Sequence, residues 1–137
     1  MSEDARGELF REQAAAQARR ESRESEQAQV ILDGFVRAAV DQGLAAQPLR
    51  ARSYNGRSTY KTGIVGWYLS RDRSNGVDQT GQFYLLNTPG GMLAKLKGVE
   101  LTPTPPPLAI GKGARDGESM SLKELVERRL AAGEAWA

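Results

Sequence analysis

GIVGWYLSRDRSNGVDQTGQFYLLN, residues 63–87, decides the fold. Its ends are rich in β-branched and aromatic residues. Its middle is polar and holds Asn75-Gly76, the dipeptide best suited to the two positive-φ positions of a type I′ hairpin turn. Read as a two-residue turn, Asn75-Gly76 sets Arg73 opposite Asp78, Tyr68 opposite Phe83 and Trp67 opposite Tyr84, which gives one ion pair and two aromatic pairs. The polar run from Ser70 to Gln82 admits a second form, a flexible loop from Arg71 to Gly81 with the same dipeptide as its turn. Alternation puts Val65, Trp67 and Leu69 on one face and Ile64, Gly66, Tyr68 and Ser70 on the other; the first set is the better core candidate.

Upstream, Asn55-Gly56 repeats the hairpin signal and places Tyr54 opposite Arg57 and Ala51 opposite Tyr60. The two turns predict an antiparallel meander of strands near 49–54, 57–70 and 77–87. Before it, Ala28, Ile31, Leu32, Phe35, Val36, Ala39 and Val40 recur at the spacing of an amphipathic helix. Gly43 suits the left-handed position after that helix, and Gly34 inside it suggests a close approach to the sheet. Residues 1–27 differ. They are helix-forming in composition, but apart from Leu9 and Phe10 they lack an apolar stripe, so a helix there has nothing to bury. This segment is expected to be a charged arm, helical or disordered, that is either a solvated tail or ordered by a partner or a second copy.

Downstream, Pro89-Gly90-Gly91 breaks the sheet, and Met92 to Leu96 is too short to assign to helix or strand. Leu101-Thr-Pro-Thr-Pro-Pro-Pro-Leu108 lacks the amide donors of a central strand and is expected to cross the domain surface, the alternative being an SH3-type ligand. Ser121 and Glu124 form a capping box before Leu122, Leu125, Val126 and Leu130, the apolar face of a helix ending at Gly133. The expectation is therefore an α+β domain over residues 28–133: N-terminal amphipathic helix, three- to four-stranded antiparallel meander, proline-rich crossover and C-terminal helix. Residues 134–137 form a tail.

The 137 residues include no cysteine and no histidine. These absences exclude thiolate chemistry, cysteine- and histidine-ligated metals and histidine general bases from the chain's own side chains. No motif announces a cofactor, no acidic pair has metal-binding spacing, and none is expected. The charged first twelve residues are unlike a signal peptide, and no apolar run reaches membrane-spanning length, so a cytoplasmic protein without a membrane partner is expected. Fourteen arginines against five lysines, with abundant Ala and Gly, suggest a GC-rich bacterial genome.

Charge is unevenly distributed. Residues 1–27 hold five basic and seven acidic side chains, net −2, while residues 50–73 hold six basic and one acidic, net +5. Within the second stretch, Arg50, Arg52, Tyr54, Arg57, Tyr60, Lys61, Tyr68, Arg71 and Arg73 interleave cations with aromatics, a composition suited to single-stranded nucleic acid. A charged edge that resists sheet pairing explains the same arginines. Lys112, Gly113 and Arg115, in a glycine-rich loop before the last helix, form a candidate anion site that does not match the P-loop pattern. The leading expectation is a non-catalytic binding or adaptor module that contacts a protein partner, or itself, through the arm. Nucleic-acid binding through residues 50–73 is the alternative.

Overall fold

A computed structural model describes residues 2–111 and 119–136, so the candidate anion residues Lys112, Gly113 and Arg115 lie outside the described residues. The chain forms α1 (Glu3–Asp41), β1 (Gln47–Ser53), β2 (Thr59–Tyr68), β3 (Asn75–Asp78), β4 (Phe83–Leu85) and β5 (Asn87–Thr88). It continues through α2 (Met92–Lys97), β6 (Ala109–Gly111), β7 (Ser119–Ser121), α3 (Leu122–Ala132) and a 3-10 turn (Gly133–Trp136). The expected α+β architecture is present: a long N-terminal helix, a mostly antiparallel sheet and a C-terminal helix.

The arm and the core helix are one continuous helix of 39 residues, about 58 Å at 1.5 Å per residue. Ser2 caps it by accepting the Ala5 amide, and Glu3 and Asp4 favour the positive end of its dipole. Burial changes abruptly along it: its buried residues are Ala28, Leu32, Phe35 and Ala39, with none nearer the N-terminus. At its other end Leu44 donates to Ala39 O and Gly43, at φ 73°, donates to Val40 O, the paired bonds of a Schellman motif. That turn aims the Leu44 carbonyl at the sheet, where it accepts from Trp67 Nε1 at 3.1 Å. Gly34, contrary to the sequence expectation, lies on the exposed side, and a Cβ built there meets nothing within 4 Å. Gly34→Ala is therefore expected to stabilise the protein by about 1 kcal/mol through helix propensity alone. A urea midpoint that stays put or falls would mean that this face is covered.

The first hairpin follows the expected register, with Ala51 opposite Tyr60 and Arg52 opposite Thr59. Farther along, Gln47 pairs with Gly66 and Pro48 with Val65, so β2 carries extra residues around Gly63, which takes φ 74°. Thr62 stabilises this bulge: its hydroxyl donates to Leu49 O and accepts the Ile64 amide.

The second hairpin differs from the expectation. Asn75 and Gly76 are strand residues, not a turn: Tyr68 pairs with Gly76, Trp67 with Val77 and Gly66 with Asp78. The turn lies at residues 70–74, where the Asp72 carboxylate accepts the Ser70 and Ser74 hydroxyls and the Ser74 amide while Arg73 takes φ 61°. Burial alone raises the Asp72 carboxyl, but these hydrogen bonds and the charge of Arg52 outweigh it and hold its pKa below the usual 3.8. Such a group stabilises the fold above its unfolded pKa, and that contribution disappears as pH falls through the lowered folded value. The stability difference between the native chain and Asp72→Asn is thus expected to be full near neutrality and to shrink below about pH 4, as chemical denaturation at several pH values will report.

The long third strand expected at 77–87 is also interrupted. Asp78 Oδ1 accepts from the Thr80 amide and hydroxyl and the Gln82 amide, turning the chain between β3 and β4. The sheet order is β4-β3-β2-β1-β5, with β5 parallel to β1 and every other pairing antiparallel. Its two marginal strands are consecutive pieces of chain separated only by Leu86, whose amide donates to Ser74 O and whose carbonyl accepts the Arg52 amide. The sheet consequently curls until its margins meet.

Curling gives two apolar clusters. Leu49, Tyr68, Tyr84 and Leu86 fill the inside of the curl. On the outer face, Trp67, Leu69, Val77 and Phe83 pack against Leu32 and Phe35 of α1 and Leu122 and Val126 of α3, with the Phe35 and Trp67 rings edge-to-face at 6.0 Å. Ser121 caps α3 by accepting the Glu124 amide, one half of the expected capping box, while the Glu124 carboxylate accepts from Arg128 instead of reaching back to Ser121. The proline-rich segment crosses the surface and shields β4, where Thr104 donates to Phe83 O, before Leu108 takes the Glu24 carboxylate on its amide.

Candidate functional site

The outer sheet face is divided. Helices cover the end around Trp67, whereas the β1–β2 end is open and carries Arg50 opposite Lys61 and Arg52 opposite Thr59, all exposed. Arg50 is held flat against the strand, its Nε donating to Thr59 Oγ1 at 3.0 Å and its Nη2 to Thr59 O at 3.2 Å. Tyr54, 72% exposed, and Arg57 stand at the hairpin tip, which Asn55 orders by accepting the Ser53 hydroxyl and the Arg57 amide. Arg71 and Arg73 are exposed on the neighbouring 70–74 turn. Arg52 is close enough to act electrostatically on Asp72, so the β1 cations neighbour those of the 70–74 turn.

The aromatics do not all join them. Tyr60 and Tyr68 are buried on the inner face. The Tyr68 hydroxyl accepts the Arg50 amide at 2.9 Å, a donor on the side of β1 where β5 has ended, and the Arg73 guanidinium lies 5.3 Å from the Tyr68 ring centroid. Tyr60 is roofed by the 90–91 turn, and its hydroxyl accepts the Gly91 amide. Of the three tyrosines expected to stack on bases, Tyr54 alone presents its ring.

Two further surfaces stand out. Among the described residues, the arm, residues 3–23, projects about 30 Å beyond the last bond that ties α1 to the rest of the chain in this region, Glu24 to Leu108. Residues 92–97, ambiguous in the sequence, form α2, which buries none of its side chains. Met92 is 87% exposed and Leu96 86%, with Leu93, Lys95 and Lys97 exposed beside them. Gly98 fastens this helix to β2: a Cβ there would meet Lys61 O at 2.7 Å, and the next amide, Val99, donates to that carbonyl.

One buried cation escaped the sequence reading. Arg129 is 5% exposed, donating from Nε to Tyr68 O at 2.9 Å and from Nη1 to Gly133 O at 3.0 Å. Burial lowers its pKa from the ordinary value and Glu134 partly restores it. The signal was legible: Arg129 falls seven residues after Leu122 and three after Val126, on the apolar stripe of α3. Its role is to join α3 to the end of β2, with no open surface to act on.

Among the described residues no three acidic side chains gather in a form able to hold a metal ion, and no helix is long and apolar enough to cross a membrane. Two exposed features remain, a basic stretch of strand and turn and a projecting polar helix. Comparison of the chain with protein-family models, with curated proteins and with solved structures gives no match.

Proposed function

We propose that the chain is a non-catalytic binding module that acts through protein–protein contacts of its N-terminal arm. The observation that carries this reading is the continuation of α1 for about 30 Å past its last tie to the core among the described residues, with no side chain of that extension buried. A polar helix of such length is marginal in water by itself, so one joined rigidly to a core helix is a suitable lever for a partner to grip. Because burial begins at Ala28, removing residues 1–20 is expected to leave the thermal midpoint within about 4 °C, the equivalent of 1 kcal/mol or less. The same deletion is expected to abolish association, measured as mass by light scattering and as retention of partners from the native host. Unchanged association after the deletion would overturn the reading.

A second reading, nucleic-acid binding, is supported by the basic stretch of Arg50, Arg52, Arg57, Lys61, Arg71 and Arg73. With Tyr60 and Tyr68 buried, such binding rests on phosphate contacts and Tyr54 alone, so it is expected to be insensitive to base sequence. Oligonucleotide titration at two salt concentrations decides it: affinity that falls steeply with salt supports it, and no binding at low salt sinks it.

A further inference from the structure

We propose that the occupant gripped by the arm is a second copy of the chain, the arm tip of each copy lying on α2 of the other. This rests on the arm-binding reading and adds its partner. The two surfaces complement one another in charge and in apolar content. Residues 1–12 hold four acidic and two basic side chains, net −2, around Leu9 and the 70% exposed Phe10. α2 holds Lys95 and Lys97 and no acidic residue, net +2, around Met92, Leu93 and Leu96. An exposed apolar triplet on a six-residue helix that buries nothing is poorly explained as part of its own core.

Rigidity makes the contact intermolecular. α1 is unbroken from Glu3 to Asp41, so Phe10 stands fourteen residues, about 21 Å, beyond Glu24 and cannot fold back onto its own α2. A two-fold arrangement satisfies both surfaces at once, because each copy gives an arm and receives one. Two equivalent contacts reinforce each other, and their ionic part weakens with salt.

The absence of native cysteine allows a direct test with the full chain. Phe10→Cys and Leu96→Cys, both at exposed positions, are mixed in equal amounts and oxidised. The expected result is at least tenfold more disulfide between the two variants than within either, together with a mass twice 14.9 kDa that halves in Lys95→Glu/Lys97→Glu. Adding Glu8→Lys/Glu12→Lys to that double variant is expected to restore the dimer. A chain that is monomeric at all concentrations overturns the proposal. So does cross-linking confined to Phe10→Cys pairs in a dimer that still requires the arm, which leaves the arm-binding reading standing. A dimer indifferent to removal of residues 1–20 overturns both.

Discussion

Trp67→Ala is expected to lower stability by about 3–5 kcal/mol, the cost of emptying a large buried aromatic site. Trp67 is 2% exposed and joins three elements. Its ring meets Phe35 of α1 edge-to-face, its backbone pairs with Val77 of β3, and its Nε1 donates to the Leu44 carbonyl that ends the Schellman turn. Truncation leaves that carbonyl without its donor and opens a cavity between helix and sheet, which adds about 1 kcal/mol to the transfer loss. The thermal midpoint should drop by roughly 10–20 °C. Trp67→Phe, which keeps an aromatic ring and loses the bond, separates the two contributions and should cost less than half as much. A loss below about 1.5 kcal/mol for alanine would mean that the site collapses around the smaller side chain.

The smallest possible addition is expected to do comparable damage one residue earlier. A Cβ on Gly66 would lie 2.0 Å from Val77 O and 2.7 Å from Asp78 Cα, and both are backbone atoms of the paired strand. No rotamer relieves that overlap; β2 and β3 must separate. Gly66→Ala is therefore expected to cost about 3 kcal/mol or more, at the upper end of overpacking penalties. The contrast with Gly34→Ala is the control, since the same change is destabilising at one site and stabilising at the other for reasons that composition does not reveal. Urea unfolding of both variants checks it, and a Gly66→Ala midpoint near that of the native chain would show that the strands are farther apart than described.

What was legible in the sequence follows from the range of the interactions involved. Helical periodicity, the Gly43 cap, the Ser121 cap and the first hairpin register depend on residues within a few positions of each other, and they match the structure except at Val40, which was expected on the apolar face and is 63% exposed. Asn75-Gly76 failed because glycine has two uses that look alike locally. Here it permits close approach: a Cβ at Gly76 would stand 2.9 Å from Leu49 Cδ1 and 2.9 Å from Leu86 Cδ1, partners distant in sequence. Meanwhile Ser70, Asp72 and Ser74 make the turn earlier in the chain, centred on Asp72, by their own hydrogen bonds. The odd shift of the β2–β3 register puts Phe83 on the face of Trp67 and Tyr84 on the face of Tyr68, the reverse of the expected aromatic pairs. Among the candidate site residues, the exposed cations of β1 and β2 were readable from alternation. The burial of Tyr60 and Tyr68 was not, because the inner cluster exists only once the sheet has curled.

Leu86 gives that curl a consequence for how the protein meets other molecules. Since its amide serves one margin of the five-stranded sheet and its carbonyl the other, Leu86 closes the β ribbon into a ring at this point. A strand added at Leu86 itself would have to displace those two bonds. The ring is also all or nothing: any event that unpairs Leu86 creates two free edges at once, so the native state should guard this single leucine by opening rarely rather than partially.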